Sequence, residues 1–187
     1  LVKKRYLALV HGEVRQESGR IEAAIGRREH DRKRMGVRRE GGREARTAYR
    51  VVRRLPGRTV LEVDLETGRT HQIRVHLGHI GHPLLGDALY GQGFRTKAAR
   101  LTTPARAALD SLSGQALHAA RLGFAHPATG KVMRFESPLR PDLARLDIIE
   151  RGTVWNFHAV VDTVEIEGWI GDPPGQSRVA GVRNPHH

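Results

Sequence analysis

Cysteine is absent from the 187 residues. No disulfide can brace the chain and no thiolate can hold zinc. Long apolar runs are missing too, and none approaches the roughly 18 residues a bilayer-spanning helix needs. Lys3-Lys4-Arg5 leads only into a short strand-like run, which is not a secretory signal pattern. The cytoplasm is therefore the expected compartment, with no membrane partner. There is no internal repeat and no low-complexity block. Negative charge is scarce: 20 Asp and Glu stand against 32 Lys and Arg, for a net charge of +12 and a pI near 11.2. Such an excess points to a polyanionic partner, since each neutralised phosphate releases condensed counterions. A basic protein from an arginine-preferring genome is the alternative, and the uneven placement of the excess weighs against it.

What is present suits one globular domain. The hydrophobic fraction is 39% and the charged fraction 28%, and the length allows a real core. Residues 3–10 read as a strand with Tyr6 in its middle. Ile21 to Ile25 is a short apolar piece. From Arg27 to Arg58 cations crowd together, opposed only by Glu29, Asp31, Glu40 and Glu44. Gly36, Gly41 and Gly42 keep this stretch from being one helix, so it reads as a loop or irregular hairpin laid over the surface. Either it contacts phosphates or it is a solvated charged face. Ala48–Val52 and Thr59–Leu65 form a strand pair about Pro56-Gly57. Phe94 to Ala108 reads as a loop and then a short helix. Leu117–Phe124 and Val132–Phe135 form a second hairpin, and Asp142 to Ile149 a closing helix.

The stretch that organises the chain is LEVDLETGRTHQIRVHLGHIGHPLLGDALYG, Leu61 to Gly91. Val60 to Leu65 alternates as a half-buried strand. Thr67-Gly68 breaks it. Ile73, Val75 and Leu77 then continue at helical spacing to Ile80. A polar turn feeding a helix start leaves backbone N–H groups available to an anion, and Arg69, Thr70 and His71 there make a plausible phosphate clamp.

Within this stretch TGRTHQIRVHL and GHPLLGDALYG resemble the third motif of the RluA/RluD family of RNA pseudouridine synthases. Three other segments match that family in order. KKRYLALVHG (Lys3 to Gly12) is similar to its tyrosine motif. Ala24 to Arg50 resembles the linking stretch, and Leu117 to Leu143 its C-terminal motif. The likeness covers roughly residues 2 to 146 and divides the chain into a catalytic-domain portion, 1–146, and an unassigned tail, 147–187. The tail carries Trp155, Trp169 and Pro173-Pro174-Gly175, and the composition of its last dozen residues predicts disorder. The resemblance implies an α+β fold, a mixed and mostly antiparallel sheet flanked by helices. It implies an isomerase that turns uridine into pseudouridine in structured RNA, rRNA or tRNA, without a cofactor.

The family's nucleophile, an aspartate in a His-Arg-Leu-Asp motif, has no match here. The expectation is a C-terminal portion of a larger enzyme, inactive until another segment supplies that aspartate. In the family a carboxylate acts at the sugar, a tyrosine lies against the base, and a basic side chain keeps the carboxylate ionised. Residue by residue, Tyr6 matches the tyrosine, Arg74 the guanidinium, and Leu117 the apolar residue of the pocket floor. Arg74 sits among apolar neighbours, and such a charge needs an acid. None appears close by, so the expected partner is the absent aspartate. Asp87 reads as an Asx-type turn residue.

Arg28, Arg34, Arg38, Arg69, Thr70, His71 and Gln72 are the candidate RNA contacts, with holding the turn an open alternative for His71 and Gln72. His71, His76, His79 and His82 lack the i, i+4 spacing of helical metal ligands, so no metal is expected. Two other readings are a non-catalytic basic RNA-binding domain on the same scaffold, and a generic nucleic-acid module.

Overall fold

The computed structural model describes residues 2–29, 31, 33–94 and 103–148. Its strands are β1 (Lys3–His11), β2 (Ser18–Glu22), β3 (Ile25–Arg27), β4 (Met35–Val37), β5 (Arg46–Leu55), β6 (Arg58–Leu65), β7 (Leu117–Ala125) and β8 (Val132–Glu136). Its helices are α1 (Gln72–His79), α2 (Thr103–Asp110) and α3 (Pro141–Ile148), with a 3-10 turn at Gln92–Phe94. Six strands form one sheet in the order β2-β5-β6-β1-β7-β8, and β3 pairs with β4 as a separate small ribbon. Each described pairing is antiparallel. Helices flank the sheet, which is the α+β arrangement the sequence implies.

The sheet is buried on both faces because its central strands carry apolar residues at both parities. In β1, Ala8 and Val10 face one cluster with Leu61, Val63, Tyr49 and Val51, and α1 covers them with Ile73 and Leu77. Leu9 faces the opposite way, with Val60 and Leu55, and is covered by Ala108 of α2 and by Leu143 and Leu146 of α3. At roughly 25 cal/mol per Å² of apolar surface removed from water, these two layers are the main stabilising term. Ile25, Ala45 and Val75 make a third, smaller cluster that seats the β3–β4 ribbon on α1.

The stretch from Arg27 to Arg58 is only in its first part the hairpin over the surface. From Arg46 it is β5, a ten-residue strand that extends the one expected over Ala48–Val52 at both ends. The cations hide a half-buried alternation: Thr47, Tyr49 and Val51 are buried while Arg50 between them is exposed. Arg58 is itself buried and donates to the carbonyl of Leu146. The turn at Pro56-Gly57 is as read, with Gly57 at φ 71°, where glycine pays no steric penalty. The tail from residue 149, with Trp155 and Trp169, lies outside the described residues, as does the loop at 95–102.

Candidate active site and nucleic-acid interface

The entry to α1 is built around one buried amide. Gln72 is 2% exposed. Its Oε1 accepts from the Thr67 hydroxyl at 2.8 Å and from the Arg69 amide at 2.9 Å. Its Nε2 donates to the Arg46 carbonyl at 2.8 Å and to the Thr47 hydroxyl at 2.9 Å. That uses the four bonds a glutamine side chain can make, and it ties the end of β6, the start of β5 and the start of α1 together. Of the two alternatives for Gln72, holding the turn is the one its contacts match. Arg69 also donates from Nε to the Glu44 carbonyl at 2.8 Å, while Thr70 stands exposed.

Arg74 follows two residues later. Its guanidinium meets Asp87 side by side, with Nε at 2.7 Å from one carboxylate oxygen and Nη2 at 2.8 Å from the other. The Asp87 side chain is 0% exposed and that of Arg74 15%. This corrects the expectation that Arg74 lacks an acid within this sequence. The turn after Pro83 folds the chain back, so an aspartate thirteen residues on reaches the helix. Asp87 is also the turn residue it was read as, for one of its oxygens accepts from the amides of Leu89 and Tyr90 at 3.0 Å each. Burial pushes the Asp87 carboxyl up, but the bond from Arg74, the two amides and the guanidinium charge outweigh it and hold it below the ordinary carboxylate range. The same hydrogen bond raises Arg74.

Tyr90, which nothing in the sequence singles out, completes the group. The Arg74 guanidinium lies 4.8 Å from its ring centroid. Its hydroxyl bonds Nδ1 of His71 at 3.0 Å and accepts from the Met35 amide at 3.1 Å. One phenol thus links α1, the turn after it and β4. His71 takes up a left-handed backbone, φ 56°, to bring its ring there. Burial and the charge of Arg74 lower its pKa, so it is a neutral imidazole at neutral pH.

Tyr6 stands on β1 opposite Val63 of β6 and Ala119 of β7. It packs half-buried against the cluster that α1 covers, and so does Leu117. The β1–β7 register shifts between Arg5 and Tyr6, leaving Ala120 as the extra residue. A bulge of this kind bends the strand and re-aims the side chains beside it. Among the described residues the Tyr6 hydroxyl has no hydrogen-bond partner. Burial raises its pKa, so it is a neutral phenol. Tyr6, Leu117 and the helix bearing Arg74 therefore share one face of the sheet, without a hydrogen bond between Tyr6 and Arg74.

The β3–β4 ribbon carries the other candidates. Arg34 pairs with Asp31 at 3.0 Å, and Arg38 with Glu29 at 2.6 Å. Arg28 is exposed and has no side-chain partner among the described residues. The remaining histidines are spent separately. His76 bonds Thr47 at 2.8 Å and the Ala23 carbonyl at 2.9 Å, and His82 bonds the His11 carbonyl at 2.9 Å. Among the described residues no group of three metal-capable side chains gathers.

Comparison with known proteins bears on this arrangement. A family model described as RNA pseudouridylate synthase matches residues 1–79. The chain is 46% identical over 145 residues to an uncharacterized RNA pseudouridine synthase, YlyB, of Bacillus subtilis (strain 168), covering 78% of this chain and 43% of that protein. It is 46% identical over 148 residues to ribosomal large subunit pseudouridine synthase D of Nitrosomonas europaea, covering 78% and 40%. The chain thus spans less than half the length of these curated relatives. Among solved structures, human RNA pseudouridylate synthase domain containing 1 superposes with a TM-score of 0.61 at 26% identity, over 76% of this chain and 57% of that one.

Proposed function

We propose that the chain belongs to the RluA/RluD-type family of RNA pseudouridine synthases and forms the part of such an isomerase that presents the tyrosine, the guanidinium and the RNA-contacting surface. The reaction detaches uracil from its ribose nitrogen bond, turns it, and rejoins it through carbon. It needs no cofactor. Tyr6 lies against the base, Leu117 packs beside it, and Arg74 is the cation that keeps a carboxylate charged where desolvation would protonate it. The nucleophilic aspartate comes from polypeptide that carries the His-Arg-Leu-Asp motif. Arg74 then serves two carboxylates: Asp87 holds its Nε and Nη2, and Nη1 is left for the second. The substrate is structured RNA, rRNA or tRNA, and Arg28, Arg34, Arg38, Arg69, Thr70 and His71 face its phosphates. The compartment is the cytoplasm.

The single observation that carries this reading is the Tyr6 hydroxyl. A tyrosine kept for structure alone usually has its hydroxyl bonded once it is partly buried. This one has no protein partner among the described residues, on the face of the sheet that Leu117 and α1 also share. As a neutral phenol Tyr6 is suited to lie against a base. To take a proton it needs a cation nearby, and the proposed source is Arg74 on the helix that covers this face.

The test is a tritium-release assay on ribosomal RNA labelled at uridine C5. The purified chain is expected to bind the RNA and release nothing. Adding the aspartate-bearing segment, or joining it to the chain, is expected to restore release. Turnover by the chain alone would place the nucleophile within these residues. No release from the joined protein would favour a non-catalytic RNA-binding domain.

A further inference from the structure

Between the β3–β4 ribbon and α1 lies an open cleft of about 630 Å³. It is large enough for one nucleotide, since small-molecule sites run from roughly 300 to 1,000 Å³. Its walls differ in chemistry. Met35 and Val75 supply apolar surface, and Arg28 and Arg38 supply cations. Arg38 is already matched by Glu29. Glu29 and Asp31 line the cleft too, and Asp31 is matched by Arg34. Arg28 is the cation there that no acid matches among the described residues.

The course of the Arg28 side chain is set by Gly36. A Cβ at Gly36 would stand 3.2 Å from both Cγ and Nε of Arg28. The missing side chain lets the arginine lie across the ribbon at the cleft. Tyr90 is also a wall of this cleft. The same ring carries Arg74 at 4.8 Å, so the cleft and the Arg74–Asp87 pair share a side chain.

We propose that this cleft holds one unpaired nucleotide of the RNA substrate, next to the reacting uridine, with Arg28 on its phosphate and the base against Met35 and Val75. The inference rests on the RNA-modifying reading above. It adds a subsite and a preference for single-stranded RNA there. A duplex offers phosphates to a cation but no free base face to an apolar wall. An unpaired nucleotide offers both, which is how most sequence-bearing RNA contacts are made.

The probes are an oligouridine of about ten nucleotides and a blunt RNA duplex of equal phosphate count, each titrated against the chain at fixed salt. The single strand is expected to bind more tightly. Arg28→Glu is expected to weaken it about tenfold, and Lys131→Glu, the same charge change on the β7–β8 turn, under about threefold. Gly36→Val leaves charge untouched and crowds Arg28, so it too is expected to weaken the single strand. Thermal melts check that each variant is folded. An oligouridine bearing 4-thiouridine is expected to crosslink to peptides containing Met35 or Tyr90.

Equal losses from Arg28→Glu and Lys131→Glu, duplex binding as tight as single-strand binding, or crosslinks elsewhere would each overturn the subsite. Those outcomes leave the isomerase reading to the tritium assay. A chain that binds neither probe loses the subsite and likewise leaves the isomerase reading to the tritium assay. Crosslinking at Met35 or Tyr90 in a joined protein that releases no tritium keeps the subsite and removes the isomerase.

Discussion

Replacing Asp87 by alanine removes the most concentrated electrostatic contact at the site. The substitution leaves the Arg74 guanidinium, 15% exposed, without the carboxylate it bonds twice, and it leaves the amides of Leu89 and Tyr90 without their acceptor. Breaking a buried pair by deleting one partner costs roughly 3–5 kcal/mol, because the other charge stays behind unmatched. Water reaches the edge of Arg74 and the Tyr90 ring remains beneath it, so about 3 kcal/mol is expected. Asp87→Asn keeps an oxygen for the turn amides and loses the charge, for about 1–2 kcal/mol. The two are measured by urea unfolding at neutral pH. Arg74→Ala completes a double-mutant cycle, in which the double variant should fall well short of the sum. A pH arm follows from linkage. The folded carboxyl lies below its ordinary value of 3.8, so its stabilisation is fully present above that value and is lost as pH falls from 3.8 toward the lower folded value. Asp87→Asn should flatten this acid limb. The reasoning is refuted if Asp87→Ala costs under about 1 kcal/mol and adds to Arg74→Ala without coupling.

Tyr6→Phe removes a hydroxyl that bonds to nothing described, so stability should change by less than about 0.5 kcal/mol. Tritium release by the joined protein should nevertheless drop at least about a hundredfold, and unchanged turnover would take the phenol out of the chemistry. Gln72→Leu takes the side-chain acceptor from the Arg69 amide and the Thr67 hydroxyl and should cost about 1–3 kcal/mol in urea unfolding. His76 is buried with Nε2–H donating to Ala23 and Nδ1 accepting from Thr47, and burial lowers its pKa below 6.5. The unfolded chain therefore binds the extra proton first. Stability should be full above pH 6.5 and decline as pH falls below it, with a His76→Gln variant losing that slope.

How much of this was legible depends on the range over which each signal acts. The strands β1, β6, β7 and β8 and the Pro56-Gly57 turn follow from local alternation and from one positive-φ glycine. The middle of β5, Ala48–Val52, is legible too, but its full length is hidden because arginines occupy outward positions at both ends, and the buried set Thr47, Tyr49 and Val51 shows once the cations are read as one face. The Arg74–Asp87 pair was within reach of sequence reasoning: a guanidinium on an apolar helix requires an acid, and the GDALYG turn holds one. A turn role alone accounts for Asp87 in the sequence, yet one carboxylate accepts from the turn amides and the guanidinium together. Tyr90 gave no signal of its own, since its task is to join His71 and Met35, and residue 35 lies in a different part of the chain.

The cations of the ribbon show why charge density alone could not sort binders from structural pairs. Gly26 pairs with Gly36 and Arg27 with Met35. The loop and strands so placed bring Asp31 to Arg34 and Glu29 to Arg38. Composition counts these residues as so many positive and negative charges. The fold cancels two arginines and leaves a third, Arg28, at the mouth of a cleft. An RNA strand competes with Glu29 and Asp31 for the paired arginines but meets no competitor at Arg28. Neutralising Arg28 should therefore lower the salt slope of RNA binding by about one, while neutralising Arg34 or Arg38 should lower it less, because their acids are freed at the same time to repel the phosphates.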